Sequence, residues 1–294
     1  MHLPMPTVGW IHLCSSLTCT PLLIRMCYVF ISYQEYRRHD CYRIIAQYLA
    51  LHIFCGSAYI LYGVGILFNH DLFGLGRIAH ITTITSFCCM ITIDVVLAIN
   101  RVILITQVEV PQVFTSALQI IVWIEFGVLY FFLCSPFGGL QLGSDQYTIT
   151  YDSTKAFSWI FDTFRFYSTV SLSCTSLTLY VFIWIFLGYR MYRFKKTMTS
   201  KAERNIALQA GLTFSLNAFT GFVYHYCYLT LMEREWTSLL YVFEQMMNFM
   251  YVPLIVYLTF NSKLRRQVFF QPSVVEPHMA FIITTNVTPP SVVT

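Results

Sequence analysis

Charge is what this sequence has least of: only 11% of its 294 residues are Asp, Glu, Lys or Arg. A soluble domain carries about 25%, because its surface faces water. An ordinary water-soluble fold is thereby excluded. The motifs of familiar catalytic chemistry are missing too. There is no H-E-x-x-H, no G-x-S-x-G and no Walker loop, so nothing points to a metalloprotease, a serine hydrolase or a nucleotide hydrolase. Gly74-Leu75-Gly76 is followed by Arg77, where an intramembrane aspartyl protease would need an aspartate. None of the ten cysteines sits in a C-x-x-C or a Cys/His pair with zinc spacing. They read as buried free thiols behaving as small hydrophobes, and no metal or cofactor is expected. No basic stretch with a small-residue cleavage site precedes the first apolar run, so that run is expected to act as its own insertion signal.

What the chain does have is apolar length. Hydrophobic residues make up 56% of it, in runs of roughly the 20 residues needed to cross a bilayer core. Seven runs are legible: Val8 to Tyr33, Tyr42 to Phe68, Ile78 to Thr106, Val113 to Ser135, Phe164 to Tyr189, Asn205 to Met232, and Thr237 to Phe260. Arg25 and Pro21 interrupt the first, and Pro136 with Gly138-Gly139 ends the fourth. The expected fold is an all-α membrane protein, a seven-transmembrane helix bundle over residues 1–266, followed by a Pro-, Thr- and Val-rich disordered tail over 267–294. No internal repeat suggests duplicated transporter halves.

The basic residues orient the bundle. Arg37, Arg38, Arg43, Arg101, the Arg190–Arg204 segment, Lys263, Arg265 and Arg266 share one side, against Arg77, Lys155, Arg165 and Arg234 on the other. The positive-inside rule puts the first group in the cytoplasm, hence the N-terminus outside and the C-terminus inside. A cytosolic tail also leaves the sequon at Asn286 unglycosylated. In a soluble protein the Arg190–Lys201 stretch would suggest nucleic acid; between two spans it is a cytoplasmic loop, and no nucleic-acid partner is expected.

Few side chains are placed to do chemistry. Arg101 ends the third span, where a guanidinium can exchange partners between a neighbouring helix and an intracellular ligand, or simply anchor the helix at the interface. Its neighbour Asn100 stands where an acid would form a local lock, which leaves Glu203 before the sixth span as a substitute partner. In the seventh span Pro253 frees a backbone carbonyl and makes a pivot, with Tyr257 one turn on. Lys263, Arg265 and Arg266 suggest a short amphipathic helix on an anionic leaflet. Ionisable or strongly polar groups inside spans are expensive. His52, Asp94, Glu125 and Asn248 are read as an intramembrane polar network, with an Asp94–His52 contact expected from their similar depth. Arg25 has no evident partner. A ligand pocket, if present, would draw on His80, Thr83, Phe87, Phe166, Tyr167, Tyr224, His225 and Glu244, and its aromatic lining would suit a small, mostly apolar ligand.

Several stretches together resemble the nematode serpentine chemoreceptors, divergent rhodopsin-like G-protein-coupled receptors, with classes T and X nearest. They are Pro21-Leu22-Leu23-Ile24 with Tyr28-Val29-Phe30, Cys41 to Ile45, Leu97 to Arg101, Glu203 to Gln209, and Pro253 to Asn261 with Lys263 to Arg266. The resemblance implies a plasma-membrane receptor of sensory neurons that detects a small chemical and couples to a heterotrimeric G protein. It assigns Asn100, Arg101, Glu203, Pro253 and Tyr257 to the switch and implies no retinal, since the seventh span has no lysine. Many rhodopsin-like receptors staple the third span to the second outer loop by a disulfide; here neither end of that link has a cysteine. A seven-span transporter, a ligand-gated channel and a non-signalling membrane protein are the rival readings.

Overall fold

The computed structural model describes residues 5–68, 74–142, 149–152, 154–194, 211–212, 215–216, 219 and 243–270. The expected sixth span, with Glu203, Tyr224 and His225, lies almost wholly outside them, as do the start of the seventh and the tail from residue 271; residues 267–269, expected as disordered tail, are helical.

Five long helices organise the described chain: α1 (Met5–Ser32), α3 (Asp40–Phe68), α4 (Leu75–Thr106), α5 (Gln112–Cys134) and α6 (Ser158–Phe194). Each is long and apolar enough to cross a membrane, as expected of a multi-pass membrane protein in which helices satisfy their own backbone groups. A single short turn, α2 (Gln34–Arg37), joins α1 to α3. Residues 243–246 are helical and pass through a π-helical turn, Met247–Tyr251, into α7 (Val252–Phe260) and then α8 (Ser262–Phe269). Arg101 lies at the end of the bundle where α2 and α8 meet; this basic end is opposite the α4–α5–α6 end that carries Arg77 and Lys155.

Two features depart from the expected all-α chain. Between α5 and α6 the backbone forms a small antiparallel hairpin, β1 (Leu140–Leu142) and β2 (Ile149–Tyr151), in the register Leu140–Tyr151, Gln141–Thr150, Leu142–Ile149. It is held by apolar packing, since Leu140 is buried with Ile81 of α4 and Leu133 of α5, and Tyr151 packs against them. The second departure is α6, which begins at Ser158 rather than Phe164. Asp162 in the added turn pairs with Arg165, and further along Ser168, Thr175 and Thr178 bond carbonyls of their own preceding turns.

The principal core joins α1, α3, α4, the π-helical turn, α7 and α8, around Leu23, Met26, Leu49, Leu51, Phe249 and Met250. A second cluster, Ala98 with Tyr180, Ile183 and Leu187, fixes α6 on α4. α1 and α3 pack closely where Gly9 and Gly63 let the two backbones meet: a Cβ on Gly63 would stand 2.9 Å from the Gly9 carbonyl oxygen. Small residues permit such approaches inside membranes, where dispersion rather than water drives packing. α4 ends at Gln107, whose left-handed φ of 56° closes the helix before Pro111. All nine described cysteines are free, so among the described residues no disulfide anchors the hairpin.

Candidate functional site

At the basic end the structure gathers side chains from four helices around Arg101. This residue is only 5% exposed. Its Nη2 donates to the Cys41 Sγ at 2.6 Å, at the start of α3. Its Nε has no partner. Asp94, one face of α4 deeper, and Arg101 both act electrostatically on the phenols of Tyr180 (α6) and Tyr257 (α7). Arg101 on α4 and Tyr257 on α7 therefore lie within electrostatic reach of each other, while Asn100, next to Arg101 in the chain, is half-buried. A neutral thiol is a weak acceptor, so the bond that holds the guanidinium to α3 is a weak one.

Pro253 acts as its chemistry dictates. Lacking an N–H, it cannot bond the carbonyl four residues back, Phe249. The π-helical turn forms across this gap, with Val252 N–H reaching Met247 instead. The freed Phe249 oxygen accepts from His52 Nδ1 at 2.8 Å. A carbonyl only accepts, so Nδ1 carries the imidazole proton and Nε2 is the bare nitrogen, without a partner in the buried interior. This corrects the expected Asp94–His52 contact: the histidine is drawn to the proline's orphaned carbonyl, and Asp94 belongs to the Arg101 cluster. Asn248 is buried in the same turn, and Glu125 lies elsewhere, half-buried on α5.

Arg25, without an evident partner in the sequence, finds one in α8. Its guanidinium donates to the Gln267 carbonyl at 3.5 Å and lies 5.5 Å from the Tyr28 ring. The carbonyls of a helix's last turn lack intrahelical donors and carry partial negative charge, so a cation there is well placed. The same helix end is tied to α2. Tyr36 donates to the Gln267 side chain at 2.7 Å, Gln267 donates to Glu35 at 2.9 Å, and Lys263 pairs with Glu35. Asn261 caps α8 by accepting from Leu264 N–H at 2.9 Å. Leu264, Gln267 and Val268 face inward while Lys263, Arg265 and Arg266 are exposed, so the expected amphipathic helix is present.

Burial pushes the Glu35 carboxyl up, but hydrogen bonds from Lys263 and Gln267 and the Lys263 charge outweigh it, leaving it below the ordinary 4.5. A depressed carboxyl contributes stability above its unfolded value and loses it as pH falls through the native one. The α2–α8 tie should therefore persist at neutral pH and loosen only below about pH 4.5. Because Glu35 is well exposed, the effect is modest, under about 1 kcal/mol after screening. A spin label at Phe269 is expected to gain mobility on acidification in the native chain but not in Glu35→Gln.

Of the residues expected to line a ligand pocket, Tyr224 and His225 lie outside the described residues, and the other six are placed on α4, on α6 and before the π-helical turn. His80 is buried with its ring against Tyr62 at 4.8 Å. Thr83 bonds the Ala79 carbonyl, and Phe87 packs on Phe249. Glu244 lies within electrostatic reach of Tyr59. Phe166 and Tyr167 pack on each other on the exposed side of α6, 39% and 65% exposed. A cleft opens between α4, α5 and α6 beneath β2, lined by Thr85, Cys88, Glu125, Tyr151, Phe161 and Arg165 among others. Sequence reasoning placed only Glu125 among functional residues here. The missed signal was Arg165, a lone cation opening an apolar run.

These helices and their order form a helical bundle of a known architecture. The crystal structure of squid rhodopsin is similar, with a TM-score of 0.71 and 13% identity over 91% of this chain and 86% of that one. At this identity the likeness establishes the fold. No family model matches the sequence, and no curated protein matches it.

Proposed function

We propose that this chain is a G-protein-coupled chemosensory receptor of the plasma membrane, of the serpentine type, with its N-terminus outside, that binds a small extracellular chemical and activates a heterotrimeric G protein. The observation that carries this reading is the setting of Arg101: a buried guanidinium at the basic end of a rhodopsin-like bundle, between Cys41, Asp94, Tyr180 and Tyr257. A positive-inside anchor would instead extend to the interface. Ligand binding acts by its differential affinity for a bundle whose basic end is open, and opening would release Arg101 from Cys41 towards the G protein. Membrane setting, basic cytoplasmic loops and the α8 tie support the same orientation.

Agonist-independent nucleotide exchange on a heterotrimeric G protein tests this without knowledge of the ligand. Because a thiol holds Arg101, basal exchange is expected to be appreciable. Cys41→Ala removes that bond and should raise it, whereas Cys41→Asp supplies a charged acceptor, stronger by roughly twofold as a hydrogen bond, and should lower it. Basal exchange that is absent in all three proteins at normal surface levels, across G-protein subtypes, would count against a receptor.

A further inference from the structure

The cleft between α4, α5 and α6 carries the ingredients of a binding site that the apolar-ligand expectation does not accommodate. Its walls are apolar and aromatic, with Leu129 of α5 opposite Phe161 of α6. Into it project two ionisable groups of opposite sign, Glu125 from α5 and Arg165 from α6, and both act electrostatically on the Cys88 thiol between them. Arg165 is 8% exposed, holds Asp162 at 3.1 Å and lies 5.3 Å from the Tyr151 ring, so its guanidinium is oriented from two sides. Thr85 adds a hydroxyl that is fully buried, lines the cleft and has no hydrogen-bond partner. A buried hydroxyl left without a partner costs about 1–3 kcal/mol, which a ligand or a water bound there recovers.

We propose that this cleft binds a small dipolar organic molecule, its carboxylate at Arg165, its amine at Glu125 and its hydrocarbon body between Leu129 and Phe161, with Thr85 completing the polar contacts. Opposite charges on facing walls favour a ligand that carries both, its carboxylate sharing Arg165 with Asp162 and its amine sharing Glu125 with Thr92. In this conformation the enclosed space is only about 10 Å³, close to what a single water requires, so ligand entry must part α6 from α4 and α5. That motion has a readout at the basic end. Arg165 and Tyr180 lie on one continuous helix, fifteen residues or about 22 Å apart at 1.5 Å per residue, and Tyr180 packs beside Ala98 next to Arg101. Wedging the upper end of α6 thus shifts the neighbours of the switch arginine. This consequence rests on the receptor reading; the binding itself does not.

The test uses the purified full-length protein in lipid nanodiscs and the probes β-alanine, 4-aminobutanoate and 6-aminohexanoate, with alkanoates and alkylamines of matched length as controls. At least one ω-amino acid is expected to raise Tm more than either matched control. Glu125→Gln should weaken its binding about tenfold and erase its advantage over the alkanoate; Arg165→Gln should erase its advantage over the alkylamine. Thr85→Val, which keeps the shape, should weaken binding severalfold and serves if Arg165→Gln does not fold. No stabilisation of the native chain by any ω-amino acid, or an advantage that survives Glu125→Gln, overturns the proposal. Stabilisation without any change in nucleotide exchange counts against the receptor reading and leaves the site standing; intact basal exchange without probe binding does the reverse.

Discussion

Replacing Arg101 by alanine is expected to abolish G-protein activation while leaving the protein at the cell surface. The two halves of that expectation have separate physical causes. In the resting bundle the guanidinium is 5% exposed and makes one bond, to a neutral thiol. Removing it leaves Cys41 without a donor, a small penalty because a thiol is a weak hydrogen-bonding group, and it ends the cost of burying the guanidinium itself. Folding therefore survives. In the proposed active state the same side chain is the group offered to the partner. Truncating an arginine at the centre of an interface costs at least about 2 kcal/mol, or roughly thirtyfold, and nucleotide exchange should fall by that factor or more. Arg101→Lys should recover part of it, since an ammonium keeps the charge but loses the planar fork. Retained exchange in Arg101→Ala at normal surface levels would remove the role assigned to this residue.

Gly63→Leu is expected to do the opposite: remove the protein from the surface and leave nothing to couple. The backbones of α1 and α3 touch at this point, and a Cβ at residue 63 would stand 2.9 Å from the Gly9 oxygen and 3.0 Å from the Leu13 nitrogen. Both neighbours are main chain, so no rotamer change relieves the clash; the helices must separate along the largest interface of the described bundle. Overpacking costs about 1–3 kcal/mol where side chains can adjust and more where they cannot. Gly63→Ala should lower the folded fraction, and Gly63→Leu should eliminate most of it. Gly127 on α5 is the control, because a Cβ there meets nothing within 4 Å. Gly127→Ala is expected to fold as well as the native chain, with a small gain from helix propensity. Fluorescence size-exclusion of detergent extracts reads all three.

Much of the fold is legible because apolar length is a strong signal. Four of the expected spans match α1, α3, α4 and α5 to within a few residues, and α8 was visible in the spacing of Lys263, Arg265 and Arg266. The hairpin was not, since Leu140–Leu142 and Ile149–Tyr151 are three-residue strands too short for alternation to register. The start of α6 was hidden by Asp162, which ended the polar stretch before the apolar run and pairs with Arg165 of the same helix.

The site was legible residue by residue but not pair by pair. Arg101, Pro253 and Tyr257 stand out by type and position, yet Cys41 is sixty positions from Arg101, and a thiol is not an obvious acceptor for a guanidinium. That Pro253 frees a carbonyl follows from proline alone; that His52 takes it depends on how α3 is rotated, which sequence does not reveal. Arg25 and Gln267 are 242 positions apart and meet through a backbone oxygen, which has no sequence signature. That Phe166 and Tyr167 are exposed on α6 was not legible either, because an apolar helix in lipid lacks the polar stripe that would set its phase.

The central claim is that signals pass inward through a bundle with its basic end in the cytoplasm, and topology tests it most directly. Different epitope tags on the two termini of the full chain, stained in intact and then in permeabilised cells, are read together. The account predicts that the N-terminal tag stains in intact cells and the C-terminal tag only after permeabilisation. An N-terminal tag that needs permeabilisation, or two tags on one side, would contradict it and turn attention to a channel or transporter.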